Sequence, residues 1–146
     1  MSQAHEYSIT VFSPQGKLIQ VEYAFQAVKT AGLTAIAIKG KDTAVVAIEK
    51  KVTDRLIDPD SVTNIYNVND GIGAVTVGLT PDAKSVISRL RMEAAEYKFE
   101  NGHQAPIDVL VSTYANIAQY YTQHAFTRVL GVETICVSYD KEKGPQ

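Results

Sequence analysis

The sequence has only one cysteine, Cys136, and no marked excess of either charge among its 146 residues. A single cysteine excludes an internal disulfide and is typical of a reducing compartment. Because Cys136 lies within a strand-like run, we expect a buried, inert thiol rather than a nucleophile. The net charge of −2 gives no reason to expect a surface for nucleic acid or for an anionic membrane. Neither nucleic acid nor a membrane is therefore predicted as a partner.

Long hydrophobic runs are also missing. The first ten residues are mostly polar and the apolar runs are interrupted every few residues, so neither a signal peptide nor a membrane-spanning helix is predicted. Hydrophobic residues nevertheless make up 45% of the chain, which is typical of a globular protein. A chain of this length fits one domain, and we expect it in the cytoplasm and nucleus.

Patterns that would indicate a cofactor, a metal or a nucleophile are scarce. The histidines, His5, His103 and His124, lie far apart and have no cysteine or carboxylate at metal-ligand spacing. Gly71 and Gly73 precede a strand, whereas a dinucleotide fingerprint needs its glycines between a strand and a helix. No G-x-S-x-G string is present. The sequence therefore predicts no cofactor and no metal site.

The periodicity of apolar residues predicts the order helix, four strands, two helices, strand. This order is typical of antiparallel sheets covered by a helical layer, an α+β fold, and not of a βαβ nucleotide fold. Thr80 is the expected N-cap of the second helix, with Pro81 at its first position and Asp82 in its first turn. The predicted elements are a helix at about 18–30 ended by Gly32, hairpins at 33–49 and 63–79, helices opening at Thr80 and Pro106, and a strand at 132–139.

The most specific part of the chain is residues 13–24, with the sequence SPQGKLIQVEYA. Pro14 fixes its φ angle and Gly16 supplies a permissive position, so a turn is predicted before the helix. An amphipathic helix that docks on its own domain is the general interpretation of the spacing that follows. The apolar residues at helical spacing are Leu18, Val21, Phe25 and Val28.

This string resembles the segment FSP-x-G-(R/K)-L-x-QVEYA near the start of proteasome alpha subunits, and the resemblance extends from Phe12 to Gln146. It implies an N-terminal-nucleophile hydrolase-like, four-layer αββα sandwich. Members of that family continue well past this length, and residues 140–145 look like a hairpin tip whose second strand is missing. We therefore expect the N-terminal part of a subunit, with a sandwich incomplete at its C-terminus. The expected divisions are 1–17 (gate tail and reverse turn), 18–31 (N-terminal helix) and 32–146 (truncated sandwich).

The resemblance implies a structural and gating subunit of the 20S core, which supports ubiquitin-dependent protein degradation. The implied partners are other alpha subunits in a seven-membered ring, beta-ring subunits, and proteasome activators or the regulatory particle. The reverse turn would be displaced by activators, and Tyr23 would join the cluster that stabilises an open pore. The residues implied as gate or activator contacts are His5, Glu6, Tyr7, Pro14, Gly16, Tyr23 and Asn64, and those implied as ring-structural are Leu18, Val21, Glu22, Phe25, Arg128 and Gly131.

Some residues depart from the family pattern. Many alpha subunits have Tyr-Asp-Arg where this chain has His5-Glu6-Tyr7, so Glu6 keeps the acid but the tyrosine and the arginine of the open-gate hydrogen bond are absent. The lysine that meets activator tails falls at Asn64, which carries no charge, so a weak activator pocket is predicted. Val129 replaces the proline of an R-P-x-G segment. This segment, with residues 25–27 and 121–123, looks most like the eukaryotic member that occupies the first position of the alpha ring.

Two other classes of protein share features with this sequence. The order of elements also resembles catalytic proteasome beta subunits, whose N-terminal threonine needs a free amine, an acidic residue and a lysine. Leu33 occupies the threonine position and Thr34 comes one residue late. Glu49 falls near the acidic position, and the lysine position falls at about Asn64, so catalysis is not predicted. A small binding module would need a complete fold of its own, which the ending argues against.

Overall fold

The computed structural model describes residues 12–124 and 126–146, and the predicted order of elements is confirmed there. The fold is α+β with antiparallel sheets, as predicted. Among the described residues, no helix is both long and apolar enough to span a membrane. The elements are α1 (Ile19–Ala31), β1 (Ala35–Lys39), β2 (Ala44–Ile48), a short 3-10 helix (Pro59–Ser61), β3 (Ile65–Asn69), β4 (Ile72–Gly78), α2 (Thr80–Asn101), α3 (Ile107–Tyr120), β5 (Val132–Asp140) and β6 (Gly144–Pro145).

Local sequence explains where several elements end. Gly32 ends α1 in the left-handed conformation, with φ of 61°, and its N–H donates to the carbonyl of Lys29. Gly102 ends α2 in the same way, with φ of 75°. In the turn between β3 and β4, the Asn69 side chain accepts the N–H of Gly71 at 2.9 Å. The end of α1 at Gly32 and a hairpin over residues 63–79 were predicted, because the information lies within a few residues.

Helix α2 begins one residue earlier than predicted. Thr80 is its first residue and not its N-cap, since the carbonyl of Leu79 already accepts the N–H of Ala83 at 2.9 Å. The N-cap residue Leu79 makes no capping hydrogen bond with its side chain. Asp82 lies in the first turn of α2, as predicted, but it is buried, so its carboxylate has a role beyond the helix dipole.

The part of the chain that the structure describes contains two antiparallel sheets. β1 and β2 pair as a two-stranded hairpin, and β3-β4-β5-β6 form a four-stranded sheet in that order. The tip predicted at 140–145 is present, because Asp140 accepts the N–H groups of Glu142 and Lys143, both at 2.8 Å. The returning strand begins at Gly144, and Ser138 and Gln146 exchange backbone hydrogen bonds of 3.0 and 2.9 Å.

The main core lies between the four-stranded sheet and helices α2 and α3. Along β4, Ala74 faces this core, whereas the adjacent Val75 is buried outside it. Because successive side chains of a strand point to opposite faces, Val75 lies on the face that the β1–β2 hairpin contacts. The helices, the sheet and the hairpin thus form successive layers. The buried core residues are Val68, Ile72, Ala74, Val86, Ile87, Leu90, Ala94, Ala105 and Leu110.

The hydroxyl of Thr76 in β4 allows a direct test of what a buried polar group without a hydrogen-bond partner costs the fold. Its hydroxyl is buried and has no hydrogen-bond partner among the described residues, and such a group costs about 1–3 kcal/mol. Thr76→Val is therefore expected to stabilise the fold by about 1 kcal/mol, measured by urea unfolding. Thr63→Val is the control, because the Thr63 hydroxyl bonds to the backbone of Ile65 and its loss is not expected to stabilise. A destabilised Thr76→Val variant would contradict the prediction.

Candidate functional site at the N-terminal turn and first helix

The turn predicted at Pro14 and Gly16 is present and closes onto the start of α1. Phe12 and Leu18 form an antiparallel bridge, and the N–H of Ser13 donates to the carbonyl of Lys17 at 2.8 Å. Gly16 has φ of 78°, which favours glycine at this position. The turn, residues 13–17, is therefore held by local hydrogen bonds and lies at the surface of the chain.

Helix α1 presents two kinds of surface. Leu18 and Val21 are half-buried, whereas the side chains of Tyr23 and Phe25 are 49% and 48% exposed. Glu22 pairs with Lys17 at 3.3 Å across the exposed start of the helix, and a pair in this setting adds little stability. The helix is thus docked on one side and leaves two aromatic side chains accessible.

A groove of about 370 Å³ lies between α1 and α3. We call it the α1–α3 groove. Burial raises the pKa of Tyr114 in its wall to about 12, so this hydroxyl is neutral across the physiological range. Exposed Gln119 and Glu133 bring polar groups to the lining. The apolar lining residues are Val21, Ala24, Phe25, Val28, Tyr114, Ala118, Tyr121, Val129, Leu130 and Val132.

An ion pair with a buried carboxylate and an exposed guanidinium anchors the segment before β5. Arg128 donates to both carboxylate oxygens of Asp82, at 2.5 and 2.6 Å, and the N–H of Gly131 donates to the same carboxylate at 2.9 Å. The Asp82 side chain is only 5% exposed, while that of Arg128 is 63% exposed. The hydrogen bonds from Arg128 hold the pKa of Asp82 below its ordinary value, against the opposing effect of burial. The carboxylate is therefore fully paired although it is buried.

Two glycines meet beside this ion pair. The N–H of Leu79 donates to the carbonyl of Gly131 at 2.9 Å. A Cβ atom on Gly131 would lie 3.1 Å from the Ala27 side chain of α1 and 3.1 Å from that of Leu79. A Cβ atom on Gly78 would overlap the Gly131 carbonyl oxygen and would lie 2.8 Å from the Cα atom of Val132. We call this contact the glycine junction, and it sets where α1 packs on the rest of the chain.

The structure joins some of the predicted residues and separates others. Arg128 and Gly131 come together through Asp82, which sequence reasoning assigned only to a helix first turn. Asn64 is half-buried immediately before β3, and its carbonyl accepts the N–H of Thr76 at 2.9 Å. The residues predicted as gate contacts at 5–7 lie outside the described residues.

The position that a catalytic threonine would occupy is part of the fold's scaffold. Leu33 is half-buried between α1 and β1, and the carbonyl of Thr34 accepts the N–H of Glu49 at 3.0 Å. Within residues 12–124 and 126–146, no group of three or more histidine, cysteine, aspartate or glutamate side chains is placed to hold a metal ion.

Comparison with known proteins assigns this chain to a protein family. The model of the family described as "Proteasome subunit" matches residues 28–146, so the chain belongs to the proteasome subunit family. Residues 5–27 match a second model, the N-terminal signature of A-type proteasome subunits, which covers the turn and most of α1. The resemblance to alpha subunits stated from the sequence is therefore confirmed.

Named relatives agree with this assignment. The chain is 46% identical to "Proteasome subunit alpha type-6" of Caenorhabditis elegans, over 99% of its own length and 59% of that relative. It is 48% identical to "Probable proteasome subunit alpha type-1" of Schizosaccharomyces pombe, over 99% and 60%. With "Proteasome subunit alpha" of Methanopyrus kandleri the identity is 42%, over 94% and 55%. The chain thus spans somewhat more than half the length of these curated relatives.

Proposed function

We propose that this chain is a structural and gating subunit, itself without catalytic activity, of the alpha ring of the 20S proteasome. It would assemble with other alpha subunits in a seven-membered ring, contact beta-ring subunits and dock activators or the regulatory particle. Its work would support ubiquitin-dependent degradation in the cytoplasm and nucleus. The observation that carries this proposal is the hydrogen-bonded turn at 13–17 leading into α1, within the alpha-type signature.

The bonding of the turn supports a gating role. Its closing hydrogen bonds join Ser13 to Lys17 and Gly16 to Ser13, and the bond from the Lys17 N–H to the Ser13 hydroxyl is exposed. Exposed local bonds open at low cost, because water replaces the lost partners. The turn can therefore be displaced by a docking partner while the packed core stays intact, which is the kind of order–disorder transition that switches use.

The setting of Leu33 supports the absence of catalysis. An N-terminal nucleophile needs a hydroxyl next to its own free amine. Here the nitrogen of Leu33 is a peptide nitrogen that follows α1 and Gly32, and the side chain is aliphatic. The proposed contribution is therefore assembly and control of substrate access, with the peptidase activity supplied by other subunits.

Affinity purification of the endogenously tagged protein from its own cells tests the function. Co-purification of other alpha and beta subunits, together with hydrolysis of a fluorogenic peptide, is the expected result. The activity should resist replacement of Thr34 by alanine in this chain. A tagged protein recovered alone, without proteasome subunits and without peptidase activity, would overturn the proposal.

The activator pocket gives a separate prediction. Asn64→Lys is expected to raise the affinity of purified particles for an activator tail peptide by about tenfold, since an ammonium group would pair with the terminal carboxylate. Fluorescence polarisation of the labelled peptide measures this affinity. Asn67→Lys, at an exposed position of β3, is the control, and an amidated peptide should lose the gain. Unchanged binding by Asn64→Lys particles would contradict a pocket at this residue.

A further inference from the structure

The turn between β3 and β4 contains a buried donor without a partner. The side-chain oxygen Oδ1 of Asn69 accepts the N–H of Gly71 at 2.9 Å, which fixes the orientation of the side-chain amide. Its nitrogen Nδ2 is buried and has no hydrogen-bond partner among the described residues. Because such a group is costly to the fold, a ligand that accepts a hydrogen bond from Nδ2 would recover that cost.

Asn69 lines a cavity of about 170 Å³ between this turn and α2. We call it the β3–β4 cavity, and it has room for several water-sized groups. Its polar lining residues are Asn69, Asp70, Arg91, Lys98 and Gln104.

Two basic side chains of α2 belong to this lining. Arg91 and Lys98 are seven residues apart, so they lie two turns from each other on one face of the helix. Small residues between them, Ala94 and Ala95, leave the space above the helix open. Arg91 is oriented by β3, because its Nε and Nη2 donate to the carbonyl of Asn67 at 2.9 and 2.7 Å. Among the described residues, Nη1 of Arg91 and Nζ of Lys98 remain available as donors.

The charge and the geometry of the lining favour one class of ligand. Asp70 brings a negative charge, and the Nε2 of Gln104 donates to its carboxylate at 3.5 Å, but the two basic side chains outnumber it. The lining is therefore net positive. Its donors come from the turn on one side and from the helix on the other, which suits a tetrahedral anion with oxygens in several directions better than a planar carboxylate.

We propose that the β3–β4 cavity binds a phosphate group, as the free ion or as the monoester of a small molecule. Nδ2 of Asn69, Nη1 of Arg91 and Nζ of Lys98 donate to its oxygens. A ligand held in this way ties the turn to α2 and stabilises the folded chain. The site uses no residue of the N-terminal turn, so it adds a ligand to the function proposed above without depending on it.

Titration of the purified chain with inorganic phosphate at neutral pH and constant ionic strength tests the site. Two-dimensional ¹H–¹⁵N NMR follows the side-chain amide of Asn69 and the backbone N–H of Gly71. We expect saturation with a dissociation constant of about 1 mM, and a thermal unfolding midpoint that rises with phosphate concentration. Signals of both groups that stay unchanged up to about 10 mM phosphate would overturn the proposal.

Removal of the buried donor tests the role of Asn69. Asn69→Asp retains an oxygen that can accept the N–H of Gly71, as Oδ1 does in the parent chain, but replaces Nδ2 by an oxygen that repels an anion. Binding, followed by the Gly71 signal, should weaken at least tenfold, and circular dichroism checks the fold. Equal affinity of Asn69→Asp and the parent chain would contradict the site.

Removal of one cation tests the role of α2. Lys98→Gln should weaken binding by about fivefold. Lys84→Gln, at another exposed position of α2, loses the same charge outside the cavity and should bind as the parent does. Equal weakening by the two variants would show that only net charge matters and would reject the site.

A change in the opposite direction gives an independent check. Asp70→Asn should tighten binding by about threefold, because it removes the negative charge of the lining. Asp108→Asn, at an exposed position of α3, changes the net charge equally and should have no effect. Tightening by both variants, or by neither, would contradict the proposed lining.

Comparison of ligands tests the chemical class. Acetate should bind at least fivefold more weakly than phosphate, because its two oxygens in one plane meet fewer of the donors. Glycerol 3-phosphate that binds as tightly as inorganic phosphate would identify a site open to monoesters, whereas binding of inorganic phosphate alone would identify a site for the free ion. Acetate that binds as tightly as phosphate would reject phosphate as the ligand.

Discussion

Replacing Gly78 by alanine is expected to prevent the chain from reaching its native fold. Gly78 has φ of 136°, which side chains of L-residues rarely adopt, and its added Cβ atom would overlap the carbonyl oxygen of Gly131. The obstacle is backbone, which cannot rotate away as a side chain can. That carbonyl also accepts the N–H of Leu79, so moving it breaks a hydrogen bond at the start of α2. A loss of more than about 4 kcal/mol is expected.

Urea unfolding and the yield of soluble protein measure this effect. Gly102→Ala is the matched control, since Gly102 also has a positive φ, 75°, but has no atom within 4 Å of an added Cβ. Only the backbone conformation is penalised there, at about 1 kcal/mol. Comparable losses for both variants would mean that the glycine junction does not restrict the fold.

Removing Arg128 is expected to cost more stability than neutralising Asp82. Among the described residues, Arg128→Met leaves the N–H of Gly131 as the one remaining donor to the buried Asp82 carboxylate, and an uncompensated buried charge is costly. About 2–3 kcal/mol is expected, less than for a fully buried pair because the Arg128 side chain is 63% exposed. Asp82→Asn leaves Arg128 free to be hydrated, so about 1–2 kcal/mol is expected. Denaturant unfolding at neutral pH measures both values.

The pH dependence gives this prediction a second readout. The folded state lowers the pKa of Asp82 below its ordinary value of 3.8. The carboxylate therefore stabilises the fold fully above that value, and its contribution is lost as the pH falls through the lower, folded-state pKa. The stability difference between the parent chain and Asp82→Asn should thus shrink in acid. Asp108 and its partner Lys143 are both exposed, and 3.6 Å separates the carboxylate oxygen from the ammonium nitrogen. Asp108→Asn should therefore change stability little at any pH. A difference for Asp82→Asn that is constant with pH would contradict the assignment.

Sequence predicted those parts of the fold that depend on neighbours in the chain. The end of α1 at Gly32 and the turn at Pro14 and Gly16 depend on conformations that a few residues determine, and both are present. The order of strands and helices could be predicted because apolar residues recur with the side-chain period of a strand or of a helix. The predicted start of α2 was wrong by one residue. The preference of threonine for N-cap positions gave no sign that the carbonyl of Leu79 accepts the first hydrogen bond of the helix.

The partner of Asp82 could not be found in this way. Arg128 lies 46 positions further along the chain, and an aspartate after a proline at a helix start has a sufficient local explanation in the helix dipole. Burial also escaped local reasoning. The β-branched, apolar-rich run at 33–39 correctly predicted a strand, yet Ile36 and Ile38 are 54% and 64% exposed, since burial depends on which element covers a face.

Because the glycine junction holds α1 in place, movement of the described segment before it is restricted to residues 12–17. A Cβ atom added to Gly131 would lie only 3.1 Å from the Ala27 side chain of α1, so α1 is closely packed on the rest of the chain at this point. The contact between Phe12 and Leu18 is a single isolated bridge, which places the pivot at Leu18. Residues 12–17, six in number, can reach at most about 20 Å from Leu18 when the chain is fully extended. The largest displacement that this segment can undergo is therefore set by the residue at which α1 begins.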